Sequence, residues 1–218
     1  MLFSFIIILL FYIPTFRYTY LKSLNSISIN SIEMRNSKRV HPRKINTTRK
    51  LIQPQYDVVL MGSSIIKQWK LTQIFGLNTI KNNGISGLLT KNLFKINLNF
   101  SNPKFIILYC GGNDLRKNIS HSTVIQNINK FVECLMTQYP NTKIILVSIL
   151  MSPSMVNIKK EMNIVNKWYN TLSKKHPTNI IYINVNRIMN IPDYYDSDGI
   201  HLNNVGYDKL LYMVESSI

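Results

Sequence analysis

From residue 57 onward, short apolar runs alternate with longer amphipathic stretches, and this alternation restricts the fold more than any other property of the chain. The candidate strands are residues 57–61, 78–82, 105–110, 143–149 and 180–184. Most are apolar at both alternating positions, as expected for strands covered on both faces by crossover helices. Between them lie helical patterns. Val124, Ile128, Phe131 and Leu135 fall on one helical face, and Ile158, Met162, Val165, Tyr169 and Leu172 on another. Residues 88–96 and 204–214 complete the helical set. The order β-α-β-α-β-α-β-α-β-α predicts an α/β fold of about 160 residues around a five-stranded parallel sheet.

The first quarter of the chain is different. Residues 1–16 carry no charged side chain, and residues 2–13 are almost wholly apolar. The run is shorter than the ~20 residues that span a bilayer comfortably. It reads equally as a signal peptide or an uncleaved membrane anchor, so residues 1–21 are assigned to one or the other and the protein is expected to be membrane-associated or secreted. Residues 22–55 are rich in Ser, Asn and basic side chains, with seven Lys and Arg and no acid in residues 35–50. They read as a linker, with a grip on anionic lipid beside the anchor as the functional alternative. Residues 56–218 form the folded domain.

The 218 residues carry a formal charge of +16. A basic excess suits a polyanionic partner. The chain also lacks alanine and abounds in Asn, Ile and Lys, a composition that AT-rich coding produces whatever a protein does. No aromatics are interleaved with the basic residues at 35–50 and no groove-reading motif is present, which argues against nucleic acid. Cys110 and Cys134 are too few for a disulfide scaffold and form no C-x-x-C pair, so both are expected to be core thiols. The four histidines include no H-E-x-x-H, and neither a metal nor a cofactor is expected.

In open α/β sheets ligands bind outside the carboxyl ends of the strands. The predicted strand exits carry Gly62-Ser63-Ser64, Asn83-Gly84-Ile85-Ser86-Gly87 and Gly111-Gly112-Asn113-Asp114, and a late loop carries Asp198-Gly199-Ile200-His201. Singly, each reads as a turn or a cap. Jointly they supply a hydroxyl, an imidazole, a carboxylate and several N–H donors, the groups a serine hydrolase needs. The elbow G-x-S-x-G is not met, because Ile66 stands two positions after Ser64.

These four blocks, in this order, resemble the SGNH or GDSL-like hydrolase superfamily, from about residue 57 to the C-terminus. Residues 105–115 and Gly199-Ile200-His201-Leu202 with Gly206-Tyr207 look most like its platelet-activating-factor acetylhydrolase-like acylhydrolases. The resemblance implies a flavodoxin-like three-layer α/β/α sandwich. It implies Ser64 as nucleophile, His201 as base and Asp198 as its orienting carboxylate. The Ser64 and Gly87 N–H groups and the Asn113 amide would form the oxyanion hole, and the substrate would be a small-molecule or lipid ester. Two positions depart from the pattern: Ser63 stands where the family has Asp, and Leu88 follows the second-block glycine. Asp114 is expected to be structural. Residues 150–155, with Met151 and Met155, leave the fourth strand at the same rim and read either as an apolar acyl slot or as a lead-in to a core helix. The reading from a different class is a catalytically weak module of this fold that binds a ligand or an anionic membrane surface.

Overall fold

The computed structural model describes residues 53–218. The assignments made for residues 1–21 and for most of the linker lie outside the described residues. Five strands, β1 (Val58–Gly62), β2 (Ile80–Gly84), β3 (Phe105–Tyr109), β4 (Lys143–Val147) and β5 (Ile180–Ile183), form one sheet in the order β2-β1-β3-β4-β5. Every neighbouring pair is parallel. The connecting helices are α1 (Ser64–Gln68), α2 (Gly112–Arg116), α3 (His121–Gln138), α4 (Lys159–Lys175) and α5 (Asn204–Glu215).

Strand side chains alternate between faces, so a strand buried on both sides must be apolar throughout. In β1, Val59 and Met61 join one core with Ile106 and Leu108 of β3, under α3 and α4. Val58 and Leu60 join the other with Ile107 and Tyr109, under α1 and α5. The stripe Val124, Ile128, Phe131 and Leu135 and the stripe Met162, Val165, Tyr169 and Leu172 both pack in the first core. The result is the α/β architecture expected from the alternation of apolar runs.

Beyond shifts of a single residue, three segments differ from the sequence reading, each for a local reason. The second strand runs over Ile80–Gly84 rather than 78–82, because this edge strand is polar and half-exposed and takes its register from Gly62 opposite Gly84. Residues 88–96 form no α-helix; a 3-10 turn occupies Thr90–Lys95, with Asn92 N–H on Leu89 O at 2.8 Å and Ile96 N–H on Leu93 O at 3.0 Å. The fourth strand stops at Val147 because the Asn166 side chain replaces a neighbouring strand at Ile149, accepting its N–H at 2.7 Å and donating to its carbonyl at 3.0 Å.

Candidate active site

The end of β1 is forced by Gly62. It has φ +146, and a Cβ there would lie 1.9 Å from the Tyr109 carbonyl oxygen on β3, so only glycine fits. The chain then turns through buried Ser63 and enters α1 at Ser64, which is partly exposed at the carboxyl rim of the sheet. Ser63 N–H donates to Tyr109 O at 3.1 Å, and Ile85 N–H donates to Gly62 O at 2.9 Å. The first and second blocks are thereby joined.

At the other end of the domain, Asp198 folds its own loop. Its Oδ1 accepts the N–H groups of Ile200 at 2.8 Å and His201 at 2.9 Å, and its Oδ2 lies 2.5 Å from His201 Nδ1. The His201 backbone N–H is the leading cause that lowers the Asp198 carboxyl to about 2, with the imidazole and the Ile200 N–H acting the same way. An ionised carboxylate only accepts, so Nδ1 carries the imidazole proton and Nε2 is left as an acceptor. Nε2 lies 2.9 Å from Ser64 Oγ. Ser63 makes no such approach.

Two contacts hold this arrangement that sequence reasoning did not find. Ser154, after β4, donates its hydroxyl to Asp198 O at 2.7 Å and its N–H to Gly199 O at 3.0 Å. Tyr207 of α5 donates its hydroxyl to Ile65 O in α1 at 2.9 Å and stacks on Trp69 with ring centroids 6.4 Å apart. The helix after His201 is therefore tied to the helix that begins at Ser64. Neither contact has a local signature, since each joins residues far apart in sequence.

The remaining candidates converge from β2 and β3. Gly87 is exposed, with φ +70 and open space beside it. Among the described residues its N–H meets no protein acceptor. Asn113 donates its amide to Leu88 O at 3.2 Å, which places the third block against the loop carrying Gly87. Asp114, fully buried, accepts the Thr90 N–H at 3.0 Å and the Thr90 hydroxyl at 2.6 Å, and Asn127 supports Thr90 in turn. Burial raises the Asp114 pKa, and the Thr90 bonds oppose that rise. This carboxylate fixes the start of the 3-10 turn.

Met151 and Met155 line a small cleft of about 190 Å³ beside Ser154, with Pro153, Val156 and Pro192. Met155 is also a core residue, as the lead-in reading of that segment expects. Cys110 is buried near the Tyr169 hydroxyl and its thiol is pushed up to about 12 by burial, whereas Cys134 is only partly buried. Among the described residues no group of His, Cys, Asp and Glu could hold a metal ion, and no helix is long and apolar enough to cross a membrane.

The family model of the GDSL-like lipase/acylhydrolase family matches residues 67–209, more than half of the chain. The chain belongs to that family. The match starts three residues after Ser64, so Gly62-Ser63-Ser64 lies just outside it. As a GDSL-like acylhydrolase the protein is an enzyme, an ester hydrolase. Solved structures share the fold. A Streptococcus pneumonia protein named for platelet activating factor has a TM-score of 0.66 at 24% identity, over 78% of this chain and 86% of that one. A GDSL-like lipase from Bacteroides thetaiotaomicron has a TM-score of 0.59 at 24% identity, over 73% and 85%. A carbohydrate esterase family 3 protein from Talaromyces cellulolyticus has a TM-score of 0.59 at 14% identity, over 75% and 95%. No curated protein matches the chain.

Proposed function

We propose that this GDSL-like hydrolase cleaves small or lipid acyl esters through an acyl-enzyme on Ser64. The observation that carries the reading is the continuous chain from Ser64 Oγ to His201 Nε2 at 2.9 Å and from His201 Nδ1 to Asp198 Oδ2 at 2.5 Å. Ser64 Oγ attacks the ester carbonyl carbon while its proton passes to Nε2. The imidazolium is stabilised by the Asp198 carboxylate. The oxyanion that develops is held by the N–H groups of Ser64 and Gly87 and by the Asn113 amide. Collapse breaks the ester C–O bond, and Nε2 returns the proton to the departing alcohol. A water then gives its proton to Nε2, attacks the acyl carbon and releases the acid, restoring Ser64.

The test is the Ser64→Ala variant against Ser63→Ala on a soluble p-nitrophenyl ester. Ser64→Ala loses nearly all activity and all labelling by a fluorophosphonate, while Ser63→Ala retains both. Equal labelling of wild type and Ser64→Ala refutes the nucleophile. For residues 1–21 we propose a membrane-directed role, as anchor or cleaved signal, with the basic residues at 35–50 beside anionic lipid. Carbonate extraction of membranes and N-terminal sequencing test it: a soluble chain still beginning at Met1 refutes it.

A further inference from the structure

A second cleft, of about 380 Å³, opens between α4 and the segment that follows β5, at the carboxyl ends of β4 and β5. It contains none of the triad residues. Its floor is built from amides already committed to the backbone. Asn166 holds both polar groups of Ile149, and Asn186 accepts the Met151 N–H at 2.8 Å and donates to Ile149 O at 2.8 Å. The floor is therefore rigid and lies where open α/β sheets place their ligands.

The walls differ from the floor in having unspent donors. Lys167 and Arg187 both line the cleft and are exposed, and among the described residues neither is in an ion pair and no acidic side chain lines the cleft with them. Asn163 and Asn170 flank Lys167 on the same face of α4, and their side-chain amides have no partner among the described residues. Asn184 spends its carbonyl oxygen on the Asn186 N–H and keeps its NH2 group. A guanidinium fork and an ammonium without a counter-charge suit a dianion better than a single carboxylate. Two amides that both donate and accept, with a third that donates, suit hydroxyl groups. The volume matches the small end of ligand sites.

We propose that this cleft is a second ligand site, distinct from the Ser64 triad, that takes a phosphomonoester of a small polyol. Its phosphate lies between Lys167 and Arg187, and its hydroxyls pair with Asn163, Asn170 and Asn184. Such a group could come free in solution or on a lipid headgroup.

Binding to the full-length protein tests this without reference to esterase activity. Calorimetric titration with glycerol phosphate should saturate. Lys167→Ala and Arg187→Ala, both at exposed positions, should each weaken it by about tenfold or more. Lys130→Ala, a lysine elsewhere on the surface, and Ser64→Ala should leave it unchanged, so the result stands apart from the fate of the catalytic reading. Glycerol should not compete. Phosphatidylcholine vesicles with and without phosphatidylinositol phosphate separate the two sources. A lipid source gives vesicle binding that falls in the Lys167/Arg187 double variant and is displaced by glycerol phosphate; a free ligand gives saturation in solution alone. Absence of saturable binding in both settings overturns the proposal, as does equal affinity in wild type and double variant, or equal binding of glycerol and glycerol phosphate.

Discussion

Replacing Asp198 by Asn tests the proton logic of the site with little change of shape. In wild type one carboxylate oxygen takes two backbone N–H groups, at 2.8 and 2.9 Å, and the other takes His201 Nδ1 at 2.5 Å. An asparagine can satisfy these in only one orientation. With its oxygen on the two N–H groups, its NH2 faces Nδ1 and donates to it. The flipped orientation would press NH2 against two backbone donors and give up two hydrogen bonds of about 0.5–1.5 kcal/mol each to keep one. The first orientation therefore wins, and it obliges Nδ1 to accept, which moves the ring proton to Nε2. That nitrogen then donates toward Ser64 Oγ and can no longer take its proton. Loss of a comparable carboxylate by the same change costs ~10⁴ in kcat, equivalent to about 5.5 kcal/mol of barrier. The loop should survive, because its backbone bonds are kept and the Asp198 side chain is 45% exposed. The assay is kcat/KM on a soluble p-nitrophenyl ester, with the melting temperature measured on the same preparation. A folded Asp198→Asn enzyme within tenfold of wild type would refute both the tautomer argument and the role of His201.

Asn113→Ala should slow turnover by roughly 10²–10³-fold with KM little changed, as for loss of one oxyanion donor, and a folded variant at full rate contradicts that role. Thr90→Val removes the 2.6 Å bond to buried Asp114. It should cost about 1–3 kcal/mol, lowering the melting temperature by roughly 2–12 °C, and an unchanged melting temperature would show that Asp114 is satisfied without it. The Asp198 carboxyl is depressed from 3.8 to about 2 on folding, so its contribution to stability is present above 3.8 and is lost as pH falls toward 2. Wild type should therefore lose stability relative to Asp198→Asn across that interval; a constant offset in acid melts contradicts the assignment.

Strands buried on both faces were legible because nothing but an unbroken apolar run can occupy them: Val58 to Met61 and Ile106 to Leu108 have no exposed side. The edge strand was misplaced by two residues because Lys81, Asn82 and Asn83 carry no such signal, and its register comes from β1. Residues 88–96 hold Leu89, Leu93 and Ile96 at spacings that pass for a helix, yet buried Asp114 seizes Thr90 and starts a tighter turn there. The blocks of the candidate site could be read from their few residues once their order along the chain was taken together. What brings the blocks together could not, because Ser154 on the Asp198 carbonyl and Tyr207 on the Ile65 carbonyl are single polar side chains whose partners lie 44 and 142 positions away.

The hydrogen bond between Ser64 and His201 closes over 137 positions, from the exit of the first strand to the last loop before the final helix. A nascent chain has its hydroxyl out of the ribosome long before its imidazole, and β1, flanked by β2 and β3, must wait for both neighbours before it is sheltered. Any polypeptide stopped before residue 201 lacks the proposed proton acceptor whatever else has folded. Under the proposed mechanism, hydrolysis of an ester would report synthesis at least as far as His201, and a cut anywhere between the two ends could be scored by whether the separated pieces regain activity on mixing.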